Sequence, residues 1–211
     1  MVKEFVKKID WLGHDSFLIK SNLIIYFDPF QIKGGPKADI IFITHPHYDH
    51  CSPEDIKKIV KEDTVIVTEK DSAKMLSGKI EVMKVGEEKT VSGIKVKAVP
   101  AYNISKTFHP KDKGWLGFVV EVEGVKVYHA GDTDFIPEMK DIKTDIALLP
   151  VSGTYVMTAE EAVEAALTIN PQIAIPMHYG SIVGSEKDAQ RFAQALKGKI
   201  EVIVLPKKIK F

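Results

Sequence analysis

The chain has one cysteine, Cys51, and one arginine, Arg191, and few asparagines or glutamines. A single cysteine excludes an internal disulfide and suits a reducing, cytoplasmic compartment. Lysine and glutamate in place of arginine and amides is a balance reported for heat-adapted proteins. Lys+Arg and Asp+Glu both number 29, so the formal net charge is zero. Such a chain has no overall excess of positive charge with which to grip nucleic acid or an anionic membrane, and neither is an expected partner. No apolar run approaches the length of a membrane span, and the N-terminal MVKEFVKKIDW lacks the apolar stretch of a secretory leader. There is no linker-like or low-complexity tract and no short-period repeat. The 211 residues are therefore expected to form one domain, 1–211. The sequence leaves its oligomeric state open.

What is present reads as strands first and strand–helix alternation later. FVKKIDWLG, SFLIK and LIIYF are short and rich in β-branched and aromatic residues, which predicts strands. ADIIFIT is a continuous apolar run, as expected of a strand buried on both faces. SPEDIKKIV opens a helix, with Ser52 as N-cap and Pro53 at the first helical position. TVIVT and KIEVMKV are further strands, and KDSAKML is a short helix. Ser92-Gly93 and Glu123-Gly124 each interrupt alternating runs and mark hairpins. DIALLP, QIAIP and KIEVIVL are late strands. Between them lie TAEEAVEAALTI, a helix capped by Thr158 with Glu161 three residues on, and SEKDAQRFAQALKG, a helix ended by Gly198. This order predicts an α/β fold with sheets covered by helices.

The chemistry concentrates at strand ends. Residues 45 to 50 read HPHYDH, directly after ADIIFIT. Pro46 pushes His45 towards an extended backbone, which can turn His45 and His47 the same way. Asp49 and His50 lie just before the helix, where the chain turns. Three imidazoles and a carboxylate in six positions are costly to bury singly. One divalent ion can satisfy several of them at about 2.0–2.2 Å.

HPHYDH matches the HxHxDH signature, and the chain resembles the metallo-β-lactamase superfamily. Gly131-Asp132-Thr133 after VKVYHA and Met177-His178-Tyr179 after QIAIP are similar to later motifs of that family, in the same order. Asp28 in YFDPF matches an early strand-end aspartate. GHDSFLI resembles the opening hairpin of small hydrolases related to ascorbate-phosphate lactonase. The resemblance implies a four-layer αββα sandwich and two metal sites. His45 and His47 would hold one ion with a third histidine. Asp49, His50 and His178 would hold the other, with Asp132 between the two. The third histidine is the point of departure. The family places it where this chain has Asn103, and His109 follows six residues later. Either His109 supplies the missing nitrogen or the first site lacks a protein ligand. The resemblance also places His14 near the metals, orienting a ligand or contacting substrate, and His129 behind Asp132. Cys51 reads as a small residue beside the site.

These readings predict a metal-dependent hydrolase. A metal-bound hydroxide, oriented by Asp49 as the catalytic carboxylate, would cleave an ester, lactone, amide or phosphodiester bond in a small molecule. Zinc is the expected cofactor, as one or two ions, and manganese or iron suit the same donors. Tyr102, Asn103, Lys106, Tyr155 and Tyr179 are the expected substrate-binding residues. Lys106, with Lys111 and Lys113, could meet a phosphate or carboxylate. The segment AYNISKTFHPKDKGW has little secondary-structure signal and reads as a lid. A nuclease of the same superfamily and a metal-binding module without catalysis are the alternatives.

Overall fold

The computed structural model describes residues 1–208. In chain order the elements begin with α1 (Val2–Val6), β1 (Ile9–Gly13), β2 (Ser16–Lys20), β3 (Ile24–Phe27) and β4 (Ile40–Phe42). Then come α2 (Pro53–Ile59), β5 (Val65–Thr68), α3 (Lys70–Ala73) and β6 (Lys79–Val82). The second half holds β7 (Glu88–Val91), β8 (Ile94–Pro100), β9 (Leu116–Val122), β10 (Val125–His129) and β11 (Ile146–Pro150). It closes with α4 (Ala159–Ile169), β12 (Ile173–Met177), α5 (Glu186–Leu196) and β13 (Glu201–Val202). Among the described residues β1 to β6 form one mixed sheet in sequence order, and β13 to β7 form a second. The two sheets pack face to face with helices outside, giving the αββα sandwich expected from the sequence.

Side-chain alternation explains the layering. Ile40 and Phe42 of β4 point between the sheets, into a core shared with Phe118, Val120 and Leu148. Ile41 and Ile43 point the other way, against Ile56 and Ile59 of α2. A strand covered on both faces must be apolar throughout, which is why ADIIFIT lacks polar alternation. Helix α4 presents buried Ala162, Ala165, Ala166 and Ile169. Its first turn is closed by the capping box, with Glu161 N–H donating to the Thr158 hydroxyl and Thr158 N–H to the Glu161 carboxylate.

Two expected strands differ. Phe5 and Val6 of FVKKIDWLG close the helix α1, and the strand starts only at Ile9. One helical turn puts the adjacent Phe5 and Val6 both in the core, at 3% and 5% exposure. In a strand, neighbours would face opposite ways. KIEVIVL pairs only through Glu201 and Val202. The chain then crosses to the first sheet, where Lys208 N–H donates to the Trp11 carbonyl.

The strand ends that matter lie together. β10, β11 and β12 are parallel, so their C-terminal ends share one edge of the sandwich. Two backbone hydrogen bonds join the sheets at that edge: Leu116 N–H to the Thr44 carbonyl, and His178 N–H to the His14 carbonyl, both 3.1 Å. Gly131 turns there with φ +62°, and a Cβ would lie 2.9 Å from the Leu116 carbonyl oxygen, so only glycine fits.

Thr158→Ala removes a paired cap and is expected to cost about 1 kcal/mol, lowering Tm by about 2–4 °C in a chain of this size. Phe42→Ala should cost about 3–5 kcal/mol, because it opens a void between the sheets. Thermal unfolding of the metal-stripped protein checks both, and equal effects would contradict the layering described.

Candidate metal centre

Asp132 is the centre of the site. It is 4% exposed, and four imidazoles face its carboxylate. Oδ2 lies 3.2 Å from His109 Nε2, 3.3 Å from His178 Nε2 and 4.0 Å from His45 Nε2. Oδ1 lies 3.4 Å from His50 Nε2. These side chains come from both sheets. His45 and His50 follow β4, His109 lies in the loop between β8 and β9, Asp132 follows β10, and His178 follows β12.

Each of the four imidazoles is held from behind by an oxygen on Nδ1. The partners are Thr44 Oγ1 for His45 at 3.0 Å, Asp28 Oδ2 for His50 at 2.8 Å, Asn103 Oδ1 for His109 at 3.0 Å, and Ser152 Oγ for His178 at 2.8 Å. Such tethers fix ring orientation and leave Nε2 for a ligand. Among the described residues His50 Nε2, His109 Nε2, His178 Nε2 and Asp132 Oδ1 are buried with no hydrogen-bond partner. Buried polar atoms without partners are rare because each forfeits its hydration. A cation is what this donor set fits: His45, His47 and His109 gather ligand atoms within 4.8 Å of one another, and so do Asp15, His50, Asp132 and His178.

The electrostatics agree. Burial alone would raise the Asp132 carboxyl, yet the imidazoles of His178 and His50 hold it well below the usual range. Burial works against charging His50 and His178, but Asp132 holds both above the ordinary histidine value. His45 is pushed well down by burial and then by His50, and His47 is lowered by burial and then by His109. Asp49 stays low despite burial because His14 Nε2 bonds its Oδ2 at 3.0 Å.

The structure separates Asn103 from His109. His109 enters the cluster. Asn103 does not, because its Oδ1 accepts from both the backbone N–H and Nδ1 of His109. Its Nδ2 donates to Asp134 Oδ1 and the Tyr155 carbonyl. An amide so fully occupied is a strut. Three other expected substrate-binding residues also meet internal partners. Tyr179 is 2% exposed and stacks on Trp11 at 4.7 Å. Tyr102 sends its hydroxyl to Glu138 under the Lys111 ammonium. Lys106 Nζ is paired with Asp134 at 2.5 Å. Tyr155 is half-buried, with its ring edge-on to exposed Phe108 at 4.7 Å.

His14 is brought beside Asp49, His50 and His178, and His129 supports the turn before Asp132. His129 Nδ1 accepts from Gly131 N–H, and its Nε2 bonds the Asp15 carbonyl at 2.8 Å. Cys51 is buried, and burial lifts its thiol to about 12, so it stays neutral. Sequence reasoning missed Asp15, Thr44, Ser152 and Trp115. The Trp115 ring lies 5.1, 4.8 and 5.5 Å from His45, His47 and His109. Only Asp15 left a signal, a charged residue between two apolar strands. His14, Asp28 and His178 all have positive φ, at +52°, +40° and +61°. Strained backbone of this kind collects at functional sites.

The profile of a β-lactamase superfamily domain matches residues 8–178. A UPF0173 metal-dependent hydrolase of Archaeoglobus fulgidus is 34% identical, covering 94% of this chain and 95% of its own. Another from Thermoplasma acidophilum is 36% identical, covering 94% of each. A solved structure from Parabacteroides distasonis, assigned as a metal-dependent hydrolase, superposes with TM-score 0.84 at 39% identity. It covers 93% of this chain and 91% of that one. The metallo hydrolase Igni18 of Ignicoccus hospitalis, at 23% identity and TM-score 0.77, shares the fold over 96% of this chain and 98% of its own.

Asn103→Ala keeps every imidazole and carboxylate of the cluster but frees His109. It should weaken metal binding by about 10- to 100-fold, as removal of a tether does. Equilibrium dialysis against graded zinc measures this, and unchanged affinity would contradict the strut role. Because Asp132 favours protonated His50 and His178, zinc loading near neutral pH should release protons. The calorimetric heat should then vary with the buffer's ionisation enthalpy.

Proposed function

Since the chain belongs to the metallo-β-lactamase superfamily and is a metal-dependent hydrolase, we propose that its Asp132-centred cluster binds two divalent ions and cleaves an ester, lactone, amide or phosphodiester bond of a small molecule. One observation carries this reading: buried imidazoles are tethered at Nδ1 and left unpartnered at Nε2, around a buried carboxylate. His45, His47 and His109 would hold one ion, and Asp49, His50 and His178 the other, with Asp132 facing both. Zinc suits the imidazole-rich set, and manganese or iron suit the carboxylates. Bound there, the ions would supply Lewis acidity and lower the pKa of water at neutral pH.

The protein's own groups do the rest. Asp49 is ionised and orientated by His14, so its carboxylate can take the proton of the attacking water. Trp115 walls one side of the three imidazoles. Two aromatic pairs flank the site in sequence and space. Phe30 meets Tyr48 edge-on at 5.8 Å, and Phe30 also touches the His14 ring at 6.1 Å. Phe108 meets Tyr155 on the other side. This rim favours a substrate with an apolar portion, and the pairing of Lys106 with Asp134 argues against an anion clamp there.

A panel of ester, lactone, amide and phosphodiester substrates, each with and without an aromatic group, tests the proposal. Turnover should stop with a chelator and return with zinc or manganese. Asp49→Asn should lower kcat by about 10²–10⁴-fold even when assayed with metal in excess. Chelator-insensitive turnover, or none on the panel, would favour a metal-binding module instead.

A further inference from the structure

Among the described residues Asp15 is the one carboxylate with both oxygens buried and unpartnered. It sits in the turn between β1 and β2 and is 0% exposed. Among the described residues neither of its carboxylate oxygens has a hydrogen-bond partner. Its backbone is not free to move away, because the Asp15 carbonyl is bonded by His129 Nε2 at 2.8 Å. His14, next in the turn, is fixed through its carbonyl to His178 N–H and through Nε2 to Asp49. A buried carboxylate with no donor is costly, and solvent cannot reach it. What does face Asp15 is the half of the cluster held by His50, Asp132 and His178, whose ligand atoms lie with one of its own within 4.8 Å of one another. His50 offers it no hydrogen bond: Nδ1 lies 4.0 Å from Asp15 Oδ2 and is already taken by Asp28 at 2.8 Å.

We propose that Asp15 supplies a carboxylate ligand to the ion held by His50, Asp132 and His178. This rests on reading the cluster as a metal centre. With Asp49 and Asp132, Asp15 would bring a third carboxylate to that ion, and its otherwise unpartnered oxygens would gain a cation. The two positions become chemically unlike. The one at His45, His47 and His109 is nitrogen-rich, and the one at Asp15 is oxygen-rich. Nitrogen donors suit zinc, whereas oxygen donors suit harder ions such as manganese. The chain would therefore fill its two positions unequally in mixed metal.

The test is metal binding by the full chain, read without any substrate. Wild-type protein, Asp15→Asn and His109→Ala are stripped with chelator and dialysed against graded free Zn²⁺, and bound zinc is counted per chain. Two classes of ion are expected in wild type. Asp15→Asn should raise the dissociation constant of one class by about 10- to 100-fold or more and leave the other unchanged. His109→Ala should weaken the opposite class. Two unaltered classes in Asp15→Asn would overturn the proposal while leaving the metal centre standing. Wild-type protein that takes up no zinc would remove both. Wild-type crystals grown with Zn²⁺ give a second measurement that does not depend on a variant folding. An anomalous peak about 2.0–2.2 Å from an Asp15 oxygen supports the ligand role. An ion beside His50, Asp132 and His178, with Asp15 outside that distance, overturns it.

Discussion

A buried carboxylate held among imidazoles organises this molecule. Asp132 is taken out of water, and the groups that compensate it come from His45, His50, His109 and His178. Burial of a lone charge is prohibitive, so its partners must arrive together and in register. That requirement explains why the imidazoles are tethered from behind. Thr44, Asp28, Asn103 and Ser152 each spend a polar atom on a ring nitrogen that faces away from the centre. The site is thus a two-layered polar island inside an apolar sandwich.

The fold exists, for this purpose, to bring strand ends to one edge. Parallel β10, β11 and β12 terminate together, and backbone bonds from Leu116 to Thr44 and from His178 to His14 close the seam between the sheets. Residues at that seam accept unfavourable backbone geometry. His14, Asp28 and His178 turn with positive φ so that their side chains face inward rather than continue the strand. The long apolar strands and the alanine face of α4 provide the packing that tolerates this.

The sequence announced the sandwich through continuous apolar runs and the strand–helix alternation of the second half. Its ordered strand-end motifs also pointed to His45, His47, His50, Asp132 and His178, which the fold gathers at one edge. His109 was visible only as an alternative. Choosing it over Asn103 depends on a loop of irregular backbone, where no periodicity says which side chain turns inward. Asp15 left only a weak signal for a related reason: a charged residue in a hairpin turn normally points to water, and only the second sheet closing over the turn buries it. Tyr102, Asn103, Lys106 and Tyr179 lie in loops after strands, which points to pocket lining, but no sequence pattern shows the internal partners Glu138, Asp134 and Trp11 that they meet. The first helix misled because its last two residues, Phe5 and Val6, are aromatic and β-branched and read equally well as the start of a strand.

The chain positions of the inward-facing groups have a mechanical consequence. His14 lies near one end and His178 near the other, and the two rings are 4.2 Å apart at the seam. An ion held by Asp15, next to His14, and by His178 would act as a cross-link that closes most of the polypeptide into a single loop. The entropy of that closure would be charged to the unfolded chain. Metal supply would then set the lifetime of the whole sandwich, and starvation for metal would expose the protein to proteolysis before its chemistry was ever called upon.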